Sequence, residues 1–187
     1  MRKFSYVLFI TIALASCQES GNSNVNQLQK ADTEQNSISE IQKQNLIELL
    51  ASELHEEWRN NRRLSDGSYN PRIKKTTDSI WINRNDTAEV DIANTPFPEL
   101  PADWQKENLE ASRVAMGEVI SAYENGIKLD SIFIEEASEQ VHVEWLARNK
   151  EWAEEDQKLP YEQLSEDEKE KDRMQVRKAI EVFGQRR

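Results

Sequence analysis

Cysteine occurs once in this 187-residue chain, at Cys17, so no intrachain disulfide can form. Histidine occurs twice, at His55 and His142, and His55-Glu56-Glu57 lacks the second helical histidine of a zincin motif, so no metal site is expected. The few glycines form neither a phosphate-binding loop nor a Gly-x-Ser-x-Gly elbow. Nucleophilic and metal-assisted catalysis are thereby disfavoured, and the expectation is a nonenzymatic chain without a cofactor. Positive charge is short as well, with 24 Lys and Arg against 35 Asp and Glu. A nucleic-acid binder normally shows a basic face, whereas here the bases are interspersed among more numerous acids, so nucleic acid is not an expected partner. A membrane-spanning run is also missing: the longest apolar stretch, from Phe4 to Ala15, has about a dozen residues where a transmembrane helix wants roughly 20.

What that stretch does resemble is a signal peptide. Arg2 and Lys3 supply a positive start, Val7, Leu8, Phe9, Ile10, Ile12 and Leu14 an apolar core, and Leu14-Ala15-Ser16-Cys17 resembles the bacterial lipobox. The expectation is that residues 1–16 are removed and Cys17 becomes the lipid-modified first residue. Several acyl chains at roughly 0.8 kcal/mol per buried methylene make a durable anchor, so the expected location is the bacterial cell envelope, with the lipid bilayer as a partner that the chain does not cross. Losing Arg2 and Lys3 leaves 22 bases against 35 acids, a formal charge of -13, which disfavours docking by charge to anionic lipid.

Residues 17–38 are rich in Gln, Asn, Ser and Glu and offer little to repay the entropy of ordering, so they read as a flexible tether. Residues 39–187 are enough for one domain with its own core. Four long helices are expected there. Ile41, Leu46, Leu50, Leu54 and Trp58 recur at helical spacing over Glu40 to Arg62, with Ser37 and Glu40 placed for a capping box. Ala102 to Asn125 follows Pro101, carries Trp104, Ala111, Val114, Ala115 and Val119 on one stripe, and meets Gly126 at its end. Asp130 to Asn149 buries Ile134, Ala137, Val141, Trp145 and Leu146. Glu166 to Phe183 has Ser165 and Glu168 at capping-box spacing and Gly184 placed to stop it.

Between the first two helices, Gly67 and Asn70-Pro71 break the helical pattern. Ser79 to Asn83 and Ala88 to Ala93 are β-prone, and their alternation predicts a small β-hairpin with Ile80, Ile82, Val90 and Ile92 on one face and Trp81 on the other. Trp81 and Trp152 sit outside the helical stripes and are the candidates for exposed contacts, with packing against the helices the plainer alternative.

The chain also resembles itself. His55-x-x-Trp58 on the first helix matches His142-x-x-Trp145 on the third. Phe97-Pro98-Glu99-Leu100 precedes the second helix as Pro160-Tyr161-Glu162-Gln163-Leu164 precedes the fourth, and Leu100 to Asn108 spans the same eight residues as Leu164 to Asp172. This self-similarity predicts a mainly α domain of two similar helical hairpins, an internal duplication carrying a small β-hairpin insertion. On these residues the chain resembles the RyR domain, the repeat first known from ryanodine receptors and found also in bacterial and phage proteins. The clearest stretch is His142 to Phe183, with His-x-x-Trp-Leu, then Pro160-Tyr161-x-x-Leu164-Ser165, then Glu168-Lys169-x-Lys171-Asp172-Arg173. His55 to Trp58, Leu100-Pro101, Trp104-Gln105 and Asn108 resemble it in the first half.

The resemblance implies a binding module, with nucleotides derived from NAD as a ligand class. It implies no channel, because in receptors the pore lies in separate membrane helices. A Gly-Trp and His-Pro segment of the receptor copies has no counterpart between Asn149 and Leu159.

Three residues apart, the two side chains of each His-Trp pair share a helix face. One reading is a core pair in which the imidazole satisfies a polar group across the hairpin, Asn108 in one half and Asp172 in the other. The competing reading is a ligand site formed by His55, Trp58, Asn108, His142, Trp145 and Asp172. The partner classes left open are a small molecule or, for an envelope scaffold, another protein. A hydrolase would need one of these histidines accessible beside an open cleft.

Overall fold

The computed structural model describes residues 38–151 and 153–186. The expected signal peptide, Cys17, the tether, Ser37 and Trp152 lie outside the described residues. Among those described, the elements are α1 (Glu40–Asn60), β1 (Ile73–Lys75), α2 (Ser79–Asn85), β2 (Glu89–Asp91), α3 (Ala102–Glu124), α4 (Ser131–Asn149) and α5 (Glu166–Gln185). Short 3-10 turns lie at Phe97–Glu99, Glu155–Lys158 and Tyr161–Gln163. The protein is mainly helical, with one small antiparallel sheet, as expected. No described helix is long and apolar enough to cross a membrane.

The helix starts follow from side chains that accept otherwise orphaned backbone N–H groups. Ser39 accepts from Gln42 N–H while the Gln42 side chain accepts from Ser39 N–H, so the capping box of α1 is built on these two residues. Asp130 caps α4 by accepting from Ile132 and Phe133. Ser165 accepts from Glu168 N–H at the start of α5, but the Glu168 carboxylate turns to Gln157 and Lys171 instead of closing a reciprocal box. Gly126, at φ +67°, adopts the left-handed conformation that follows the end of α3. Gly184 does not end the last helix; α5 runs through it to Gln185.

Four long helices supply the core, at the three-to-four-residue spacing that makes one stripe per helix. Leu46 and Leu50 of α1 meet Ala115, Met116 and Val119 of α3, Ala137 and Val141 of α4, and Val176, Ala179 and Val182 of α5. Leu50 is fully buried, and truncating it to alanine would cost roughly 2–5 kcal/mol. Ile41 departs from the expected stripe and is 75% exposed. It stands five residues before Leu46, about 140° around the helix, and so faces away from the core.

The insertion corrects the expected hairpin. β2 lies where the alternation places it, but its partner is β1, with Ile73 opposite Asp91, Lys74 opposite Val90 and Lys75 opposite Glu89. Ser79 to Asn83, expected as a strand, falls within α2. The cause is Asp78, whose carboxylate accepts from Ile80 and Trp81 N–H and also from Ala102 N–H at the start of α3. A cap that closes a helical turn and ties it to a second helix outweighs the strand preference of Ile-Trp-Ile. Val90 and Ile92 are buried together, but Ile80 and Trp81 depart from the expected faces: Ile80 points to solvent, while Trp81 packs on Val90, Ile92 and Leu100.

Candidate functional site: two histidine clasps and one open groove

His55 and His142 are both buried and both tie a helix to the connecting segment downstream. His55 Nε2 lies 3.0 Å from the Thr95 carbonyl oxygen, and His142 Nε2 lies 2.9 Å from that of Leu159. A carbonyl only accepts, so Nε2 carries the proton in both rings, leaving Nδ1 of a neutral ring as an acceptor. Each acceptor residue precedes a proline, which restricts it to extended backbone and aims its carbonyl outward from the turn. The prolines in register are Pro96 and Pro160, each four residues before the leucine, as the register of Leu100 with Leu164 requires. Each begins a 3-10 turn that closes on a buried leucine, Leu100 or Leu164.

Aromatic packing repeats too. The His55 ring stacks on Trp58, centroids 5.7 Å apart, and tilts against Phe97. The His142 ring stacks on Trp145 at 6.2 Å and tilts against Tyr161.

Beyond these shared parts the two clasps differ. Asp172 approaches His142, its carboxylate oxygen 3.6 Å from Nδ1. Asn108, at the corresponding position, donates to the Trp104 carbonyl of its own helix. Burial pushes the Asp172 carboxyl up to about 7, with the neighbouring Glu168 charge adding to the effect. At 3.6 Å the imidazole is beyond hydrogen-bond distance and does not offset that burial. His55 shifts the other way: burial disfavours its cation and lowers its affinity for a proton, against the opposing pull of its bond to Thr95.

Four residues after His55, Arg59 is also buried. Its Nε donates to the Ala93 carbonyl at 2.7 Å, Nη1 donates to the Glu56 carboxylate, and the guanidinium lies over the Tyr69 ring, 4.5 Å from its centre. The insertion is thereby pinned over the first clasp. Four residues after His142 stands Leu146, and here no insertion intervenes. Leu146, Val143, His142, Leu159 and Tyr161 line an open groove of about 380 Å³, with Lys150, Lys158, Glu139 and Glu162 at its edge. Lys158 is paired to Glu155. The Tyr161 hydroxyl donates to Glu135, which also holds Arg173 of α5, so the groove's inner wall is braced from two helices.

A second open groove, of about 310 Å³, lies between α1 and α3 around Lys43, Ile47, Arg113 and Gly117. Neither groove is bordered by both His-Trp pairs. The structure thus brings His142 and Asp172 together, stacks each histidine on its tryptophan, and turns Asn108 to its own helix.

No protein-family model, no curated protein and no solved structure matches the chain.

The acceptors Thr95 and Leu159, the plug Arg59 and the groove residues Leu146 and Lys150 are absent from the candidates drawn from sequence. Only the proline after Thr95 and Leu159 marks the acceptors in advance. Among the described residues no cluster of three His, Cys, Asp or Glu side chains is placed to hold a metal.

Proposed function

We propose that this chain is a noncatalytic binding module, held at a membrane of the bacterial envelope through acylated Cys17, whose ligand seats in the groove beside His142. The observation that carries this reading is the contrast between the clasps. The same histidine, tryptophan, proline turn and leucine recur, yet Arg59 and the insertion cover one while the face beside the other stays open. A volume of about 380 Å³ is in the range of small-molecule sites, roughly 300–1,000 Å³. An apolar wall of Val143, Leu146 and Leu159, edged by Lys150, the Glu155-paired Lys158, Glu139 and Glu162, suits a ligand that joins a flat apolar moiety to a polar group with charged and hydrogen-bonding atoms. That is the chemistry of a nucleotide, the class implied by the RyR resemblance. The matched clasps also support reading the two halves as an internal duplication of an RyR-like pattern.

A protein ligand is the second reading, favoured by Val143 at 50% and Leu159 at 38% exposure on the same groove.

A thermal-shift series on residues 36–187, one compact unit, tests the first reading. Nucleotides including NAD-derived ones are expected to raise the melting temperature with dose, because a ligand that binds only the folded state stabilises it by mass action. Leu146→Arg, which copies the Arg59 plug into the open clasp, is expected to abolish the rise in a protein that still melts cooperatively. Absence of any shift would reject the nucleotide reading in favour of a protein ligand, and turnover of any substrate would reject the noncatalytic one.

A further inference from the structure

Three large aliphatic side chains stand exposed at one end of the helical bundle. Ile41 is in the first turn of α1 and 75% exposed, Ile127 is in the turn between α3 and α4 and 55% exposed, and Ile132 is in the first turn of α4 and 68% exposed. Their common location follows from the hydrogen bonding around Glu124, the last residue of α3. Its carboxylate accepts from Ile38 N–H at 3.1 Å and pairs with Lys43, which brings the start of α1 beside the end of α3 and hence beside the turn that carries Ile127 and leads into α4. Ile38 and Leu129, from the same two segments, pack inward on the core. Folding therefore uses the aliphatic residues it needs here and leaves three others facing solvent.

Charge at this end is also atypical. Residues 38–43, 124–132 and 184–186 hold Glu40, Glu124 and Asp130 against Lys43, Lys128 and Arg186, a balance of zero in a chain whose formal charge is -11. Elsewhere an excess of acid would repel an anionic surface. Lys128 directly follows Ile127, and a lysine can lay its methylenes along an apolar layer while its ammonium stays in water.

Chain connectivity favours the bilayer as what lies opposite. The chain enters the bundle at Ile38, at this same end, and residue 17 is twenty-one positions upstream. Even fully extended, that segment reaches at most about 76 Å. To bring the other end of the bundle to the anchor, it would have to travel back along α1, about 30 Å of helix. The Ile38 end is the end of the bundle that joins the segment leading to Cys17, and reaching the bilayer there takes the least chain.

From these observations we infer that the end carrying Ile41, Ile127 and Ile132 is a lipid-contacting face, which rests on the bilayer surface by shallow apolar insertion and sets the orientation of the domain. The inference rests on the anchor reading given above. Its consequence for function is direct: the insertion around Ile80 is tied by Asp78 to the start of α3, at the opposite end of a 23-residue helix, and so is directed away from the membrane.

The test uses the full chain, purified from expressing bacterial membranes and reconstituted in phosphatidylcholine vesicles. Cys17 is the only cysteine, so acylation leaves no thiol in the parent chain, and Ile41→Cys, Ile132→Cys and Ile80→Cys each provide a single site for an environment-sensitive fluorophore. The expected result is an unlabelled parent and at least twofold stronger quenching by a lipid-borne quencher at positions 41 and 132 than at 80, unchanged by added salt. Equal quenching at all three positions, with the parent unlabelled, overturns the lipid-contacting face and leaves the anchor standing. A parent that takes up the fluorophore overturns the anchor reading and this inference with it. Protection at 41 and 132 that disappears when the protein is diluted in lipid places a second copy of the chain there, and also overturns it.

Discussion

The His55 and His142 regions are built alike and finished differently. Both use an imidazole to hold the carbonyl that precedes a proline turn, and both stack that imidazole on a tryptophan one helical turn away. The first is completed by a cation, Arg59, which draws the 64–96 insertion down over it; the second is completed by an acid, Asp172, while its outer face is left to Leu146 and solvent. A fastening that recurs with the same parts is explained by stability. What varies around it is its cover: Arg59 and the insertion lie over the first clasp, and an open groove lies beside the second.

The sharpest test of this contrast is Asp172. A carboxyl that titrates near 7 in the folded chain and near 3.8 when unfolded keeps its proton longer in the fold. Its stabilising contribution is therefore complete below about pH 4 and is lost as pH rises towards 7. At pH 8 the folded protein carries a buried, ionised carboxylate, and Asp172→Asn is expected to raise its stability by roughly 2–4 kcal/mol, since each tenfold change in proton affinity is worth about 1.4 kcal/mol. Urea denaturation at pH 5 and pH 8 checks this. The gain should be smaller at pH 5, and equal gains at both values would show that the contrast does not lie in this group.

Next in size is the plug. Arg59→Leu imposes the second half's residue on the first, removes the bond to Ala93 and leaves that carbonyl buried and unpaired. A loss of about 2–3 kcal/mol is expected. The reciprocal Leu146→Arg places a long side chain in an open groove and should cost less than about 1 kcal/mol. If the two substitutions proved equal in chemical denaturation, Arg59 would not be what distinguishes the covered clasp.

How far such features can be read from sequence depends on whether they are written in local spacing. The four long helices were legible because Leu46 and Leu50, Ala115 and Val119, Ala137 and Val141, and Val176 and Ala179 keep helical intervals. The repeated His-x-x-Trp and the eight-residue spacing from Leu100 and Leu164 were legible for the same reason. The insertion was not. Ile80-Trp81-Ile82 has the composition of a strand, and the carboxylate of Asp78, shared with Ala102 across 24 residues of sequence, is what makes it helical. Within the candidate site, the pairing of His142 with Asp172 could be anticipated from the register of the halves, whereas Asn108 turns to its own helix. Nothing local marks Arg59 as buried, since its partners, Ala93 and Tyr69, come from the far end and the near end of a long excursion.

The smallest effect expected is at the other histidine, and it has the opposite sign to that of Asp172. Burial lowers the proton affinity of His55 in the folded chain, so the unfolded chain binds its proton first as the solution is acidified through the ordinary histidine value of 6.5. Stability from this group is present above that value and declines below it until the folded ring protonates as well. His55→Gln keeps an amide donor for the Thr95 carbonyl while removing the titration. Its stability relative to the parent should therefore improve as pH falls from 7 towards 5, over the interval in which Asp172 drives the parent the other way. A pH series on the single variants and on the double variant separates these contributions. If the His55→Gln difference were flat across that interval, the imidazole would be binding its proton equally well in both states, and the first clasp would have to be looser and wetter than its geometry implies.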